Sequence, residues 1–317
     1  MKTKILFLCL VGTIIQACSH APIYVGHRGS LLGVENTHEA FVNGATHFGY
    51  HGLECDVKVT IDSQLVCWHD DHLERAGVDS LLIPSSTLAE LQALTLTQTR
   101  HDITYTAHIC TVDEYLGICQ KHGVFPVVEL KWAIGLNNYD MTLFPELFSL
   151  IEKHGLVEQT VILTSMQQSI EYIRKHYPQL QCQWLRHHVA SEDIAWCIEW
   201  GVNLSVNNSN FNSDIAQECK EAKLPVAAWT INDQDRCNQM LELGCYMITT
   251  DYLDTNNLYY PKNTTLSSRA TYLSNFSLLV IAFCIRTNGV ASALLCVNIL
   301  RLIFIAFPSS THLKDDI

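Results

Sequence analysis

Between residues 23 and 254, short β-branched and aliphatic runs alternate with stretches whose apolar residues recur at helical spacing, and no other feature constrains the fold as much. Strands joined by helical crossovers run parallel, and a parallel sheet needs both faces covered. Strands are predicted over 23–27, 52–57, 125–130, 160–164, 181–185, 203–206, 225–229 and 245–249. Helices are predicted over 40–48, 145–154, 167–175, 191–199, 214–221 and 233–243. Eight strands in about 230 residues predict an α/β fold, a (β/α)8 TIM barrel, for which roughly 250 residues is usual. The interval 58–110 exceeds one helix: Thr60-Ile61-Asp62-Ser63-Gln64 reads as a turn before a returning run, Leu65-Val66-Cys67-Trp68. A small insertion after the second strand is expected there, beside the face where the loops after the strands build an active site.

The flanks read differently. A basic start, Met1 to Lys4, an apolar run over 5–17 and then Cys18 and Ser19 form a secretory signal peptide over 1–18. Ile15-Gln16-Ala17-Cys18 also resembles a lipoprotein cleavage box, so lipidation of Cys18 and simple cleavage near Ala21 stand as alternatives. The expectation is an exported protein, periplasmic or membrane-anchored if the source is bacterial. Residues 262–317 form an apolar tail of unassigned role, whose segment 277–307 is interrupted by Arg286, Asn288, Asn298 and Arg301. Charges of this kind cost about 2.5–3.5 kcal/mol each in a spanning helix. For the tail, a poorly ordered extension, a helix laid on a neighbouring surface and a membrane anchor all stay open, so membrane association through a lipidated Cys18 or the tail is carried as one alternative. The net charge of −12 opposes a nucleic-acid partner, so any phosphate-bearing small molecule must be held by local positive charge. The thirteen cysteines show no paired metal-ligand spacing, and buried free thiols are expected.

Chemistry concentrates at three predicted strand ends. His27-Arg28-Gly29 follows the first, where an imidazole can move protons, a guanidinium can grip phosphate oxygens and glycine permits close backbone approach. Glu54 and Asp56 lie two apart on the second strand and share a face, with Cys55 on the other. They form either a pair salt-bridged to basic neighbours or, with Glu129 on the third strand, an all-oxygen site for a hard cation such as Mg2+ or Ca2+. Lys131 points toward the same mouth, and His69-Asp70 brings a second imidazole. No serine or cysteine is set beside a base, so attack must come from water or from the substrate.

In this order the chain resembles the glycerophosphodiester phosphodiesterase family, which carries His-Arg-Gly, Glu-Asn-Thr with an Ala-Phe helix, Glu-x-Asp, His-Asp and Glu-x-Lys. Here these are His27-Arg28-Gly29, Glu35-Asn36-Thr37 with Ala40-Phe41, Glu54-Cys55-Asp56, His69-Asp70 and Glu129-Leu130-Lys131. Weaker echoes are Leu73 and Arg75, the run Thr111-Val112-Asp113-Glu114-Tyr115-Leu116, Trp229-Thr230-Ile231-Asn232, and Thr250-Asp251. The resemblance covers 23–254. It implies a divalent cation held by Glu54, Asp56 and Glu129, His27 and His69 as acid and base, Arg28 and Lys131 on the phosphate, and Trp229 along the substrate cleft. The implied reaction is hydrolysis of a small-molecule glycerophosphodiester to sn-glycerol 3-phosphate and an alcohol. Alternatives are a phospholipase D-like enzyme acting on lysolipids, a non-catalytic phosphodiester-binding module, and a membrane-anchoring protein that uses the barrel as a spacer. No closing eighth helix is apparent after Asp251.

Overall fold

In the computed structural model, residues 22–253 are described, apart from 79, 80 and 101. The signal segment, Cys18 and the tail at 262–317 lie outside the described residues.

In chain order the elements are β1 Ile23–Gly26, α1 His38–Thr46, β2 Gly52–Val59, β3 Leu65–Cys67, α2 Leu88–Gln92, β4 Leu96–Arg100, β5 Ile103–Ala107, β6 Cys110–Thr111 and α3 Val112–His122. Then follow β7 Phe125–Leu130, α4 Phe144–Lys153, β8 Val161–Thr164, α5 Gln167–His176, β9 Gln181–Arg186, α6 Ser191–Trp200, β10 Asn203–Asn207, α7 Ser213–Glu221, β11 Val226–Trp229, α8 Gln234–Glu242 and β12 Met247–Thr250. Strands β1, β2 and β7 to β12 pair in parallel around a closed ring, with Val25 opposite Thr249 of β12 and Gly52 of β2. The chain is a (β/α)8 barrel, closed although no helix follows β12 among the described residues.

Side-chain alternation divides the apolar residues into layers. Val25, Val127, Val161, Leu163, Ala227 and Met247 fill the barrel interior. On β2, Leu53, Cys55 and Val57 point outward into the layer shared with the helices, which leaves Glu54 and Asp56 facing inward. Every cysteine among the described residues is a buried free thiol.

β2 runs past the barrel rim and pairs antiparallel with β3, Val59 opposite Leu65, and this hairpin starts the insertion. The insertion has its own core of Trp68, Leu73, Ile83, Leu91, Leu96 and Ile109, against which Val34 packs. The β4–β5 hairpin pairs apart from the barrel sheet. Residues after Cys110 return to the barrel repeat as α3, where Thr111 and Glu114 form a reciprocal capping box and Gly123, at φ +67°, ends the helix. The predicted helices begin or end within two residues of those observed; α2 in the insertion and α3 were not predicted from periodicity.

Candidate active site

The turn after β1 delivers the first three residues. Arg28 adopts a left-handed conformation, φ +52°, with its backbone N–H donating to Glu54 Oε2 at 2.8 Å. Gly29 follows at φ +91°, and a Cβ there would sit 2.6 Å from the Ala40 carbonyl carbon. Its lack of a side chain thus serves packing against α1 rather than approach to a ligand. His27 Nδ1 lies 2.7 Å from Asp251 Oδ1, and Asn232 holds the other carboxylate oxygen.

Glu54, Asp56 and Glu129 each direct a carboxylate oxygen to one point, the three atoms lying within 4.8 Å of one another. Asp56 is fully buried. Its Oδ2 accepts from Asn36 Nδ2 at 2.8 Å and lies 3.2 Å from Arg28 Nε, while Asn36 Oδ1 accepts the Asp56 backbone N–H at 3.1 Å. Lys131 Nζ donates to Glu129 and sits 3.0 Å from Asp56 Oδ1, in an orientation that makes no hydrogen bond. Glu54 Oε1 is buried with no protein partner. Both readings left open by the sequence are thus present: basic side chains flank the carboxylates, yet an orphaned oxygen remains, and orphaned buried oxygens are costly. A hard cation fits these oxygen donors and would take up that orphan.

The electrostatics separate the groups. Burial pushes Glu54 up to about 8, aided by the neighbouring Asp56. Burial and the Asp56 charge raise Glu129 as well. Asp56 moves the other way: burial opposes ionisation, but Lys131 and Arg28 overcome it and hold the carboxyl below its ordinary range. His27 is raised, because its Asp251 hydrogen bond and the Glu54 charge outweigh the effect of burial. His69 is lowered, chiefly by burial and then by Lys131 and Arg28, with Asp56 opposing. Its Nδ1 lies 2.6 Å from Asp70 Oδ1, and Arg75 Nε donates to Asp70 Oδ2 at 2.6 Å.

His27, Arg28, Glu54, His69, Glu129 and Lys131 line a cavity of about 520 Å3 at the strand C-termini. Leu163, Met166, Leu185, Trp132 and Trp229 line it as well, together with the polar Ser165, His187, Thr230 and Thr249. Trp229 stands edge-on to His187, ring centroids 5.0 Å apart, with its Nε1 buried and unpartnered. Of the residues given a catalytic, metal or substrate role in the sequence, all but Asp56 line this cavity, and Asp56 lies against Glu54, Arg28 and Lys131. Sequence reasoning gave no role to Asn36 or Asp251. Both sit in quoted motifs, but their partners, Asp56 and His27, lie 20 and 224 residues away, so local pattern carries no sign of the contact.

Residues 26–255 match the glycerophosphoryl diester phosphodiesterase family. A glycerophosphodiester phosphodiesterase of Caldanaerobacter subterraneus subsp. tengcongensis is 23% identical over 239 residues, covering 74% of this chain and 95% of its own. Among solved structures, a phosphodiesterase of Oleispira antarctica in complex with the product sn-glycerol-3-phosphate superposes with a TM-score of 0.63 at 22% identity, over 73% of this chain and 94% of that one. The glycerophosphodiester phosphodiesterase of Thermotoga maritima gives 0.59 at 20% identity, over 74% and 96%. The closed barrel, the cluster of acidic, basic and imidazole groups at its strand ends, and a match spanning the whole barrel lead to one conclusion: this chain belongs to the glycerophosphoryl diester phosphodiesterase family.

Proposed function

We propose that the protein hydrolyses glycerophosphodiesters to sn-glycerol 3-phosphate and an alcohol, using a divalent cation, Mg2+ or Ca2+, held by Glu54, Asp56 and Glu129. The observation that carries this is the convergence of three carboxylates, with Glu54 Oε1 and Asp56 Oδ1 buried and without a hydrogen-bond partner, beside two imidazoles of opposite electrostatic bias. Such a cation supplies charge neutralisation on the phosphoryl oxygens.

The protein's own groups divide the remaining work. Arg28 and Lys131 orient the phosphate, the first through paired donors and the second as a point charge. His69 acts as the base. Its lowered pKa keeps it neutral near pH 7, and the Asp70 carboxylate at 2.6 Å selects the Nδ1–H tautomer, leaving the Nε2 lone pair to accept a proton. His27 acts as the acid. Its raised pKa favours the protonated form, with Asp251 on Nδ1 so that Nε2–H can protonate the departing alkoxide. The nucleophile is the glycerol hydroxyl next to the ester, since an intramolecular attack can gain effective molarities as high as roughly 10⁵–10⁸ M. A cyclic phosphate forms, which water opens with the imidazoles in exchanged roles. Trp229 lines the substrate cleft.

The apolar residues Leu163, Met166, Leu185 and Trp132 in the cavity lining favour a second reading, cleavage of lysolipids. Purified protein assayed on glycerophosphocholine, glycerophosphoethanolamine and lysophosphatidylcholine separates the two. Faster turnover of the water-soluble diesters is expected, and activity confined to lysophosphatidylcholine overturns the first reading. Export, with processing at Cys18 or near Ala21, belongs to the same proposal, and the mass of the mature N-terminus tests it.

A further inference from the structure

Glu35 belongs to no helix or strand and lines no part of the cavity, yet it is only 4% exposed and meets three guanidinium groups. Its Oε2 accepts from Arg28 NH1 and from Arg100 NH2, both at 3.1 Å, and Arg75 NH1 lies 3.5 Å from Oε1. Its backbone N–H donates to Gln98 Oε1 at 3.0 Å. Arg100 and Gln98 come from β4 of the inserted hairpin, whereas Arg28 comes from the barrel. A buried carboxylate needs a partner, but one guanidinium would neutralise it. The additional partners therefore point to geometry rather than charge balance.

Two of those arginines lead directly to reacting groups. Arg28 lies in the cavity wall on a left-handed backbone whose N–H is tied to Glu54, and Glu35 fixes the direction of its guanidinium. Arg75 grips Asp70 through Nε and places NH2 3.0 Å from His69 Nδ1, so it holds the carboxylate that orients the imidazole. We propose that Glu35 is a positioning residue: anchored to the inserted hairpin through Arg100 and Gln98, it orients Arg28 for the phosphate and, through Arg75 and Asp70, orients His69 for proton transfer. This rests on the phosphodiesterase reading above.

Glu35→Gln keeps the shape and removes the charge. With glycerophosphocholine as substrate, kcat/KM is expected to fall about 10–100-fold, the usual cost of removing a group that orients a ligating or reacting side chain. The loss should divide, KM rising through Arg28 and kcat falling through His69. In an Arg75→Ala background the same substitution should still raise KM but change kcat by no more than about twofold, because the relay to His69 is already broken. Wild-type kcat and KM in a Glu35→Gln protein of lowered melting temperature would show a purely structural strut and overturn the proposal. So would an undiminished effect on kcat in the Arg75→Ala background. If Glu35→Gln does not fold, Arg100→Ala frees the Glu35 carboxylate from the hairpin while Gln98 still holds its backbone N–H; it should shift KM and kcat in the same directions, and unchanged kinetics refute the role. A wild-type protein inactive on every glycerophosphodiester fails the underlying reading itself, and the proposal with it.

Discussion

Changing Asp251 to Asn replaces a carboxylate by an amide of the same shape, 2.7 Å from His27 Nδ1. The contact is a charge-assisted hydrogen bond between side chains 22% and 26% exposed. Hydrogen bonds to charged groups contribute about 1.5–3 kcal/mol, and partial access to water favours the lower end. At about 1.4 kcal/mol per factor of ten, roughly tenfold lower turnover is expected where His27 must carry its proton. The sign follows from the direction of the shift. Asp251 raises the His27 pKa, so its removal lets His27 deprotonate at lower pH and moves the alkaline limb of the rate profile down. The acid limb, set by the lowered pKa of His69, should stay in place. Steady-state kcat/KM measured from pH 5 to 9 tests this, with the variant approaching wild type toward acid pH. An alkaline limb that does not move, with turnover within about twofold of wild type, would falsify the assignment of His27 as the acid.

Three further outcomes follow from the same geometry. His69→Ala should lower turnover by about 10²–10⁴-fold, the usual worth of a general base, as stopped-time assays of released alcohol would show; a loss under about tenfold removes it from the chemistry. Glu54→Gln should abolish turnover yet raise the melting temperature of the metal-free protein. Its carboxyl, pushed up to about 8, makes the fold bind a proton that the unfolded chain has released, so wild-type stability falls as pH rises toward about 8, and Gln escapes that fall. An unfolded Glu54→Gln protein contradicts this. A diester whose glycerol lacks the hydroxyl beside the phosphate should resist cleavage, and cleavage at the natural rate would mean direct attack by water.

Much of the barrel was legible because its strands are short and strongly apolar. On β2 the alternation of Leu53, Cys55 and Val57 with Glu54 and Asp56 gave both the strand and the inward face of the carboxylates. α3 was hidden because it follows the insertion without a break, although Thr111 and Glu114 were a readable capping signal. The β4–β5 hairpin sets Thr97, Thr99, Thr104 and Thr106 on its outer face and the polar or half-polar Gln98 and Tyr105 on its inner one, so its periodicity has little hydrophobic contrast. In the site, residue types at strand ends could be read, but pairings could not. That Asp251 serves His27, that Asn36 serves Asp56 and that Glu35 gathers arginines from barrel and insertion are consequences of ring closure and of the insertion's docking.

The central claim is a cation-dependent phosphodiesterase, and ³¹P NMR of glycerophosphocholine incubated with the purified protein tests it most directly. With Mg2+ or Ca2+ the diester signal should give way to that of sn-glycerol 3-phosphate, and excess chelator should stop the conversion until the cation is restored. Conversion at full rate in a rigorously metal-free preparation, or release of phosphocholine in place of sn-glycerol 3-phosphate, would contradict it.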